Sequence, residues 1–290
     1  VKGPSTLTVG EALTLSTRFL AEKGSPSARL DAQILTAHTL GIRRLDLYLS
    51  PERPLSESER DSLRKMLARR GQMEPVAYLT GQKEFFGLIF KVTPDVLIPR
   101  PETETIVDAA MAVLAECGAN APVAADIGTG SGAIACTIAT RMPNVKLCAG
   151  DISGRAITVA RENADLLGVS GQIEFVESDL FESTAFAGPF DLIVSNPPYI
   201  AETEDDMVDE SAKRFEPRAA LFSGTDGTDC TFRLIDGAFS RLKDGGVLLI
   251  EIGSPAQQAR VAQKLLEKFN EINEVKDPAG ITRGLMAVRT

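Results

Sequence analysis

The sequence holds one histidine and four cysteines, Cys117, Cys136, Cys148 and Cys230, with no C-x-x-C pair. That leaves little for a metal site of the ordinary nitrogen and sulfur type, so no metal is expected, and a reducing cytosol fits best. No apolar run reaches the ~18 residues that a membrane span needs. The longest are pieces such as Leu192-Ile193-Val194 and Val247-Leu248-Leu249-Ile250. The start, Val1-Lys2-Gly3-Pro4-Ser5, has no apolar signal core and no Met, which predicts no export signal and a trimmed or unusual beginning. A soluble, cytoplasmic chain is expected. Basic residues are also short: 31 Lys and Arg stand against 40 Asp and Glu, a net charge of −9. This argues against a protein that lives on phosphate-backbone contacts, although acidity alone does not exclude a nucleic-acid substrate.

What is present suits two ordinary domains. The 290 residues are 43% hydrophobic and 24% charged, enough for packed cores. Residues 1–90 carry 13 basic and 10 acidic side chains, leaving 18 basic and 30 acidic for the rest. The two halves are therefore differently built. Thr8-x-x-Glu11 and Ser56-x-x-Glu59 are capping-box starts, the second helix of the pair closing at Gly71. Between them, Ala28 to Leu40 repeats Leu30, Ile34 and Ala37 before Gly41. Residues 1–81 thus read as a small helical domain.

Phe85 to Val92, aromatic and β-branched around Gly87, predicts a hairpin. Prolines stiffen the stretch from Pro94 to Pro101, so 82–102 reads as hairpin and linker. From Thr103 the pattern alternates. Strands are expected at Val123–Ile127, Val145–Ala149, Ile173–Val176, Asp191–Val194 and Val247–Ile252, with helices near 103–116, 132–141, 154–167, 228–242 and 255–269. Such alternation predicts an α/β fold, a parallel sheet covered on both faces, over 103–290.

Gly128-Thr129-Gly130-Ser131-Gly132 sits where a strand gives way to a helix. Glycines there let backbone N–H groups approach a ligand closely, making these five residues cofactor-binding candidates. Gly128-x-Gly130-x-x-Ala133 equally satisfies a dinucleotide fingerprint, and a plain tight turn is the bland alternative. Asp151 follows the next strand, where its carboxylate can accept hydrogen bonds from ribose hydroxyls. Asp179 follows the third strand with Leu180 and Phe181 able to cover a flat ring, and can accept an adenine amino group. Each Asp alone is equally well a helix cap or a solvated loop end. Their recurrence at successive strand ends points to a nucleoside-like ligand.

The fourth strand runs into Asn196-Pro197-Pro198-Tyr199. Two prolines fix the backbone and turn carbonyl groups outward, Asn196 adds a side-chain acceptor, and Tyr199 offers a ring face. Such a turn holds a planar N–H₂ group, either the exocyclic amine of a base or a side-chain carboxamide. The bland alternative is a rigid surface turn.

At these residues the sequence resembles amino-methylating methyltransferases, and most of all the glutamine methyltransferases of peptide chain release factors, the PrmC or HemK family. The resemblance also covers Ser27-Ala28-Arg29-Leu30-Asp31-Ala32, Pro75 to Gly81, Phe90 to Glu104 with its Ile-Pro-Arg-Pro-Glu-Thr-Glu segment, and Leu249-Ile250-Glu251-Ile252-Gly253. Lys276 to Arg283 departs from the family wording after Gly280. The resemblance implies a seven-stranded, Rossmann-like catalytic domain with a small helical domain for substrate recognition. It implies S-adenosyl-L-methionine over Gly128–Gly132, with Asp151 on its ribose and S-adenosyl-L-homocysteine as product. Asn196, which also borders the cofactor, would act with Pro197, Pro198 and Tyr199 on the acceptor. That acceptor would be the glutamine amide of the Gly-Gly-Gln loop in class I peptide chain release factors, whose methylation supports translation termination.

Other readings stay open: a glutamine of a ribosomal protein, an adenine of DNA or RNA, a hydride-transferring dehydrogenase, or a cofactor-binding module without catalysis. The net −12 of residues 91–290 weighs against a nucleic-acid substrate. Arg60, Arg64, Lys65, Arg69 and Arg70 form a basic band on the third helix, either a solvated face or a docking surface. His38 reads as a structural residue on an apolar helix face. Arg100 and Glu102 either stiffen the linker or border the substrate channel, and Glu251 reads as a buried structural carboxylate.

Overall fold

A computed structural model describes residues 7–290; the stretch Val1 to Ser5 lies outside the described residues. Two compact units result: one holds the chain up to Gly81 with Asp209–Phe215, the other Gln82–Val208 and Glu216–Thr290.

In the first unit, α1 (Val9–Glu22), α2 (Ala28–Leu40), α3 (Glu57–Arg70) and the short α4 (Val76–Thr80) pack around Val9, Leu35, Leu47, Leu55, Leu63 and Leu79. Thr8 and Ser56 accept from the backbone of Glu11 and Glu59, whose side chains reach back to the caps, so both capping boxes form. Gly41 ends α2 at φ +63°, a conformation that costs other residues a Cβ clash. The buried stripe of α2 differs from the expected one. Leu30 is 42% exposed and Ile34 half-buried, while Asp31, Ala32, Leu35 and Thr36 face inward and His38 is exposed. The helix is rotated because Asp31 is drawn in by Arg70, whose Nε donates at 2.8 Å, and by Ser25 and Ser27 at 2.7 and 2.8 Å. The basic band of α3 is correspondingly interrupted: Arg70 is buried on Asp31, Arg64 pairs with Asp61, and Arg69 pairs with Glu74.

The second unit opens with the hairpin β1 (Gln82–Phe85) and β2 (Leu88–Lys91), turned by Phe86 and Gly87, both at positive φ. Then follow α5 (Thr103–Glu116), β3 (Val123–Ile127), α6 (Ala133–Arg141), β4 (Lys146–Asp151), α7 (Gly154–Leu167), β5 (Ile173–Glu177) and β6 (Phe190–Ser195). Past α8 (Glu210–Phe215), which belongs to the first unit, come α9 (Arg218–Leu221), α10 (Asp229–Ala238), β7 (Leu242–Glu251), α11 (Pro255–Leu265), β8 (Glu271–Lys276) and β9 (Thr282–Val288).

Among the described residues the seven strands run β5-β4-β3-β6-β7-β9-β8. The first five are mutually parallel, but β9 lies antiparallel to β7 and to β8, which corrects the all-parallel expectation. The cause is the turn after β8: Asp277 caps the backbone N–H groups of Ala279 and Ile281, and the chain returns directly without a crossover helix. One apolar cluster packs α5, α6 and α7 on one face, and another packs α10 and α11 on the other. Strand β7 begins five residues earlier than the sequence suggests. Asp244-Gly245-Gly246 falls between the expected helix and strand but is a kink within β7, where any Cβ on Gly246 would meet the Phe190 carbonyl oxygen at 2.9 Å.

Candidate active site

Strand order reverses between β3 and β6, the place where open α/β sheets bind ligands at their carboxyl ends. The glycine loop leaves β3 and the Asn-Pro-Pro-Tyr turn leaves β6 there. Ile127 and Ser195 are register partners, and Ser195 Oγ donates to the Ile127 carbonyl at 2.6 Å, pinning the two exits side by side.

Each loop glycine has its own reason. Gly128 and Gly130 take φ of +76° and +57°, and a Cβ on either would meet nothing within 4 Å, so the backbone there is open to a ligand. Gly132, at φ +79°, instead lets α6 close on α7: a Cβ would meet Cys136 Sγ at 3.1 Å and Ala160 Cβ at 3.2 Å. Asn163, fully buried on α7, donates to the carbonyls of Ser131 and Lys91 and accepts from Lys91 N–H, tying the loop to β2. Sequence reasoning assigned nothing to Asn163, since its partners lie 32 and 72 residues away.

Two carboxylates support the loop. Asp151 accepts Gly130 N–H through Oδ2 and Ser153 N–H through Oδ1, both at 2.9 Å. Asp126, fully buried, accepts from Thr129 Oγ at 2.6 Å and Ala135 N–H at 3.1 Å, but its Oδ1 has no partner. Burial pushes its pKa up to about 6, with a further contribution from Asp151; Asp151 is raised as well, mainly by burial. A pair of carboxylates beside open glycine backbone suits a ligand carrying positive charge. It suits a dinucleotide pyrophosphate poorly, because the Gly130 N–H such an anion would take is already given to Asp151. Asp126 lies within the expected Val123–Ile127 strand, and its burial is what reveals it.

Asp151 is linked onward through its carbonyl, which accepts Ser178 N–H at 2.9 Å, so Asp179 and Leu180 come next along the same edge. Asp179 is not a free acceptor as expected: Arg233 Nη2 donates to its Oδ2 at 2.8 Å, leaving Oδ1. Leu180 takes a positive φ of +50° at this bend.

At the other side, Asn196 is half-buried and its Nδ2 donates to Thr103 Oγ at 3.2 Å, while Oδ1 carries no hydrogen bond among the described residues. Pro197 is buried, and Pro198 and Tyr199 are half-buried. Tyr199 borders a cavity of about 320 Å³ lined also by Arg100, Glu102, Glu251, Ile252, Gly253 and Arg283. Burial, then the charge of Glu251, pushes the Tyr199 phenol up to about 12, so it is neutral in the physiological range. Arg100 is clamped at 2.6 Å by Glu216, whose other oxygen accepts Ile98 N–H at 3.1 Å, so Arg100 borders the cavity. Glu251 is 3% exposed at the end of β7 with its Oε2 unpartnered, and burial lifts its pKa to about 7. No trio of His, Cys, Asp or Glu among the described residues is grouped to hold a metal ion, and no helix is long and apolar enough to cross a membrane.

A seven-stranded sheet with this loop and turn at its reversal point defines an α/β methyltransferase, and residues 103–222 match the family described as Methyltransferase small domain. Residues 11–81 match the PrmC N-terminal domain. The chain belongs to the release factor glutamine methyltransferase family. It is 42% identical to the release factor glutamine methyltransferase of Rhodopirellula baltica, covering 95% of this chain and 94% of that one. With the protein of the same name from Chlorobaculum tepidum it shares 43%, covering 96% of each. Among solved structures, the hMettl16 catalytic domain in complex with an RNA hairpin aligns with a TM-score of 0.56 at 16% identity, covering 77% of this chain and 81% of that one. The 16S rRNA N2 G1207 methyltransferase of Thermus thermophilus aligns with a TM-score of 0.54 at 20% identity, over 72% and 50%. At such identities these two likenesses show the fold.

Proposed function

We propose that this enzyme methylates the side-chain amide nitrogen of the glutamine in the Gly-Gly-Gln loop of class I peptide chain release factors, in the cytoplasm. The observation that carries the reading is the pairing of the Asn196 to Tyr199 turn with the glycine loop at adjacent strand ends, in a chain whose full-length relatives bear that name.

The cofactor is S-adenosyl-L-methionine, leaving as S-adenosyl-L-homocysteine, and the residues present fit it. The unpartnered oxygen of buried Asp126 and the second carboxylate of Asp151 favour a cationic ligand, and the backbone over Gly128 and Gly130 is open. When bound, the cofactor supplies an electrophilic methyl group on a sulfonium. Gly128, Thr129, Gly130, Ser131 and Gly132 form its cradle. Asp151 retains lone pairs for ribose hydroxyls beyond the two N–H groups it holds, while Asp179 Oδ1 and Leu180 serve the adenine.

An amide nitrogen is a weak nucleophile because its lone pair is delocalised. Asn196 Oδ1 and the Pro197 carbonyl accept its two N–H bonds, and the Tyr199 ring packs on the amide plane. The nitrogen would thereby be aimed for in-line displacement, one of its two protons passing to solvent as it takes the methyl group, and catalysis is chiefly orientation and electrostatics. The neutral Tyr199 phenol takes no part as a base. Labelled methyl transfer to an unmethylated release factor, run beside an oligonucleotide and a ribosomal protein, tests the acceptor class. Equal labelling of the oligonucleotide would transfer the assignment to a base amine.

A further inference from the structure

Gln257, the third residue of α11, is 5% exposed and spends its carboxamide outside its own helix. Its Oε1 accepts Gly253 N–H at 2.7 Å, and its Nε2 donates to the Gly227 carbonyl at 3.1 Å, 30 residues back along the chain. Helix capping does not account for these bonds. Ser254 already caps α11 through its own hydroxyl, which accepts Gln257 N–H at 3.2 Å, and a capping-box glutamine would return to the backbone of Ser254 itself.

What the two bonded glycines share is Tyr199. Gly253 lies against its ring, where a Cβ would stand 2.3 Å from Cδ2. Gly227 lies against its backbone, where a Cβ would stand 2.4 Å from the Tyr199 carbonyl oxygen and 3.0 Å from Ala201 N. The segment leading to Gly227 is laced to the same stretch: Ile200 N–H donates to the Leu221 carbonyl at 2.9 Å, Ser223 N–H to the Ile200 carbonyl at 3.0 Å and Glu202 N–H to the Gly224 carbonyl at 2.9 Å. Tyr199 is thus held from the ring side and from the main-chain side, and Gln257 joins the two.

We propose that Gln257 is a positioning residue for methyl transfer: by tying Gly253 to Gly227 it sets the seat of Tyr199, and so fixes the ring against which the acceptor amide packs. The proposal rests on the glutamine-amide reading above. Gln257 acts on the acceptor through Tyr199. Its chemistry is specific, because Gly253 N–H can only donate and the Gly227 carbonyl can only accept, so one side chain must offer an acceptor and a donor together. A carboxylate keeps the first bond and sets negative charge against the Gly227 carbonyl; an aliphatic side chain leaves both backbone groups unpaired.

The test uses the full chain with S-adenosyl-L-methionine and a release factor. Gln257→Leu and Gln257→Glu should each lower kcat about tenfold or more, while KM for the release factor and the cofactor Kd stay within about threefold, because orientation and not binding is lost. Gln257→Glu retains one bond and carries the test if Gln257→Leu does not fold. A second readout follows the ring itself. The chain has three tyrosines, and Tyr48 and Tyr78 lie in the helical unit. In fluorotyrosine-labelled protein without acceptor, the fluorine NMR signal assigned through Tyr199→Phe should shift or broaden in both variants, and the other two should stay in place. Full kcat in either variant, a rise confined to KM, or a Tyr199 signal at its parent position in both would overturn the proposal. A parent enzyme that leaves the release factor unmodified would instead count against the acceptor assignment, because the fluorine readout needs no acceptor.

Discussion

Gly253 lies directly against the ring of Tyr199: a Cβ on Gly253 would stand 2.3 Å from Tyr199 Cδ2 and 2.6 Å from Cε2. The end of the Leu249 to Gly253 segment therefore sets where the ring of the Asn-Pro-Pro-Tyr turn can sit. Gly253→Ala must push the ring or the turn aside. The expected result is a fall in kcat/KM on the order of tenfold to a hundredfold, as for other sub-ångström to ångström displacements of reacting groups, with cofactor binding by calorimetry unchanged.

Asn196 and Asp151 should separate cleanly. Asn196→Ala removes one of the two proposed amide acceptors and should reduce transfer on the order of a hundredfold or more, with S-adenosyl-L-methionine binding largely retained. Asp151→Ala withdraws the acceptor of Gly130 and Ser153 N–H groups as well as the ribose partner. Its cofactor Kd should rise at least about tenfold, in line with about 1.5–3 kcal/mol for a charged hydrogen bond. Calorimetry and a methyl-transfer assay on the same two variants check both.

Burial of two carboxyls should tilt stability with pH. Asp126 and Glu251 start from 3.8 and 4.5 in the unfolded chain and rise to about 6 and about 7 when folded. Between those values the folded protein binds more protons than the unfolded one, so their contribution is present at low pH and is lost as pH rises through about 7. Glu251→Gln should therefore be the more stable protein at pH 8, by up to roughly 3 kcal/mol, and should converge on the parent near pH 4. Denaturant midpoints at the two pH values measure this.

In the helical unit, Arg70 and Asp31 are 8% and 6% exposed and pair at 2.8 Å. Arg70→Ala strands a buried carboxylate on two serine hydroxyls and should cost about 3–5 kcal/mol. Loss of the corresponding helical signal at lower denaturant, with the sheet unit's transition unmoved, is the expected outcome.

Much of this was legible in the sequence where signals are local. Val123–Ile127 is an unbroken buried strand, the glycines after it mark a left-handed loop, Thr8 and Ser56 announce helix starts, and Phe86-Gly87 forms the expected hairpin turn. The rest depended on chain order in space. Arg233 claims Asp179 from 54 residues away, Arg70 claims Asp31 from 39, and Thr103 meets Asn196 across 93. Periodicity carries no trace of such pairs. The α2 stripe was misplaced for the same reason, since a buried Asp looks polar until its partner is known, and the Gly245-Gly246 kink hid the start of β7 because glycine pairs usually signal turns.

Fragment mass analysis of a release factor after incubation with the enzyme and S-adenosyl-L-methionine reads out the methyl acceptor itself. The expected result is a gain of one methyl group located on the glutamine side chain of the Gly-Gly-Gln peptide, absent with Asn196→Ala. An unmodified glutamine, or a methyl group found only on another residue, would contradict it.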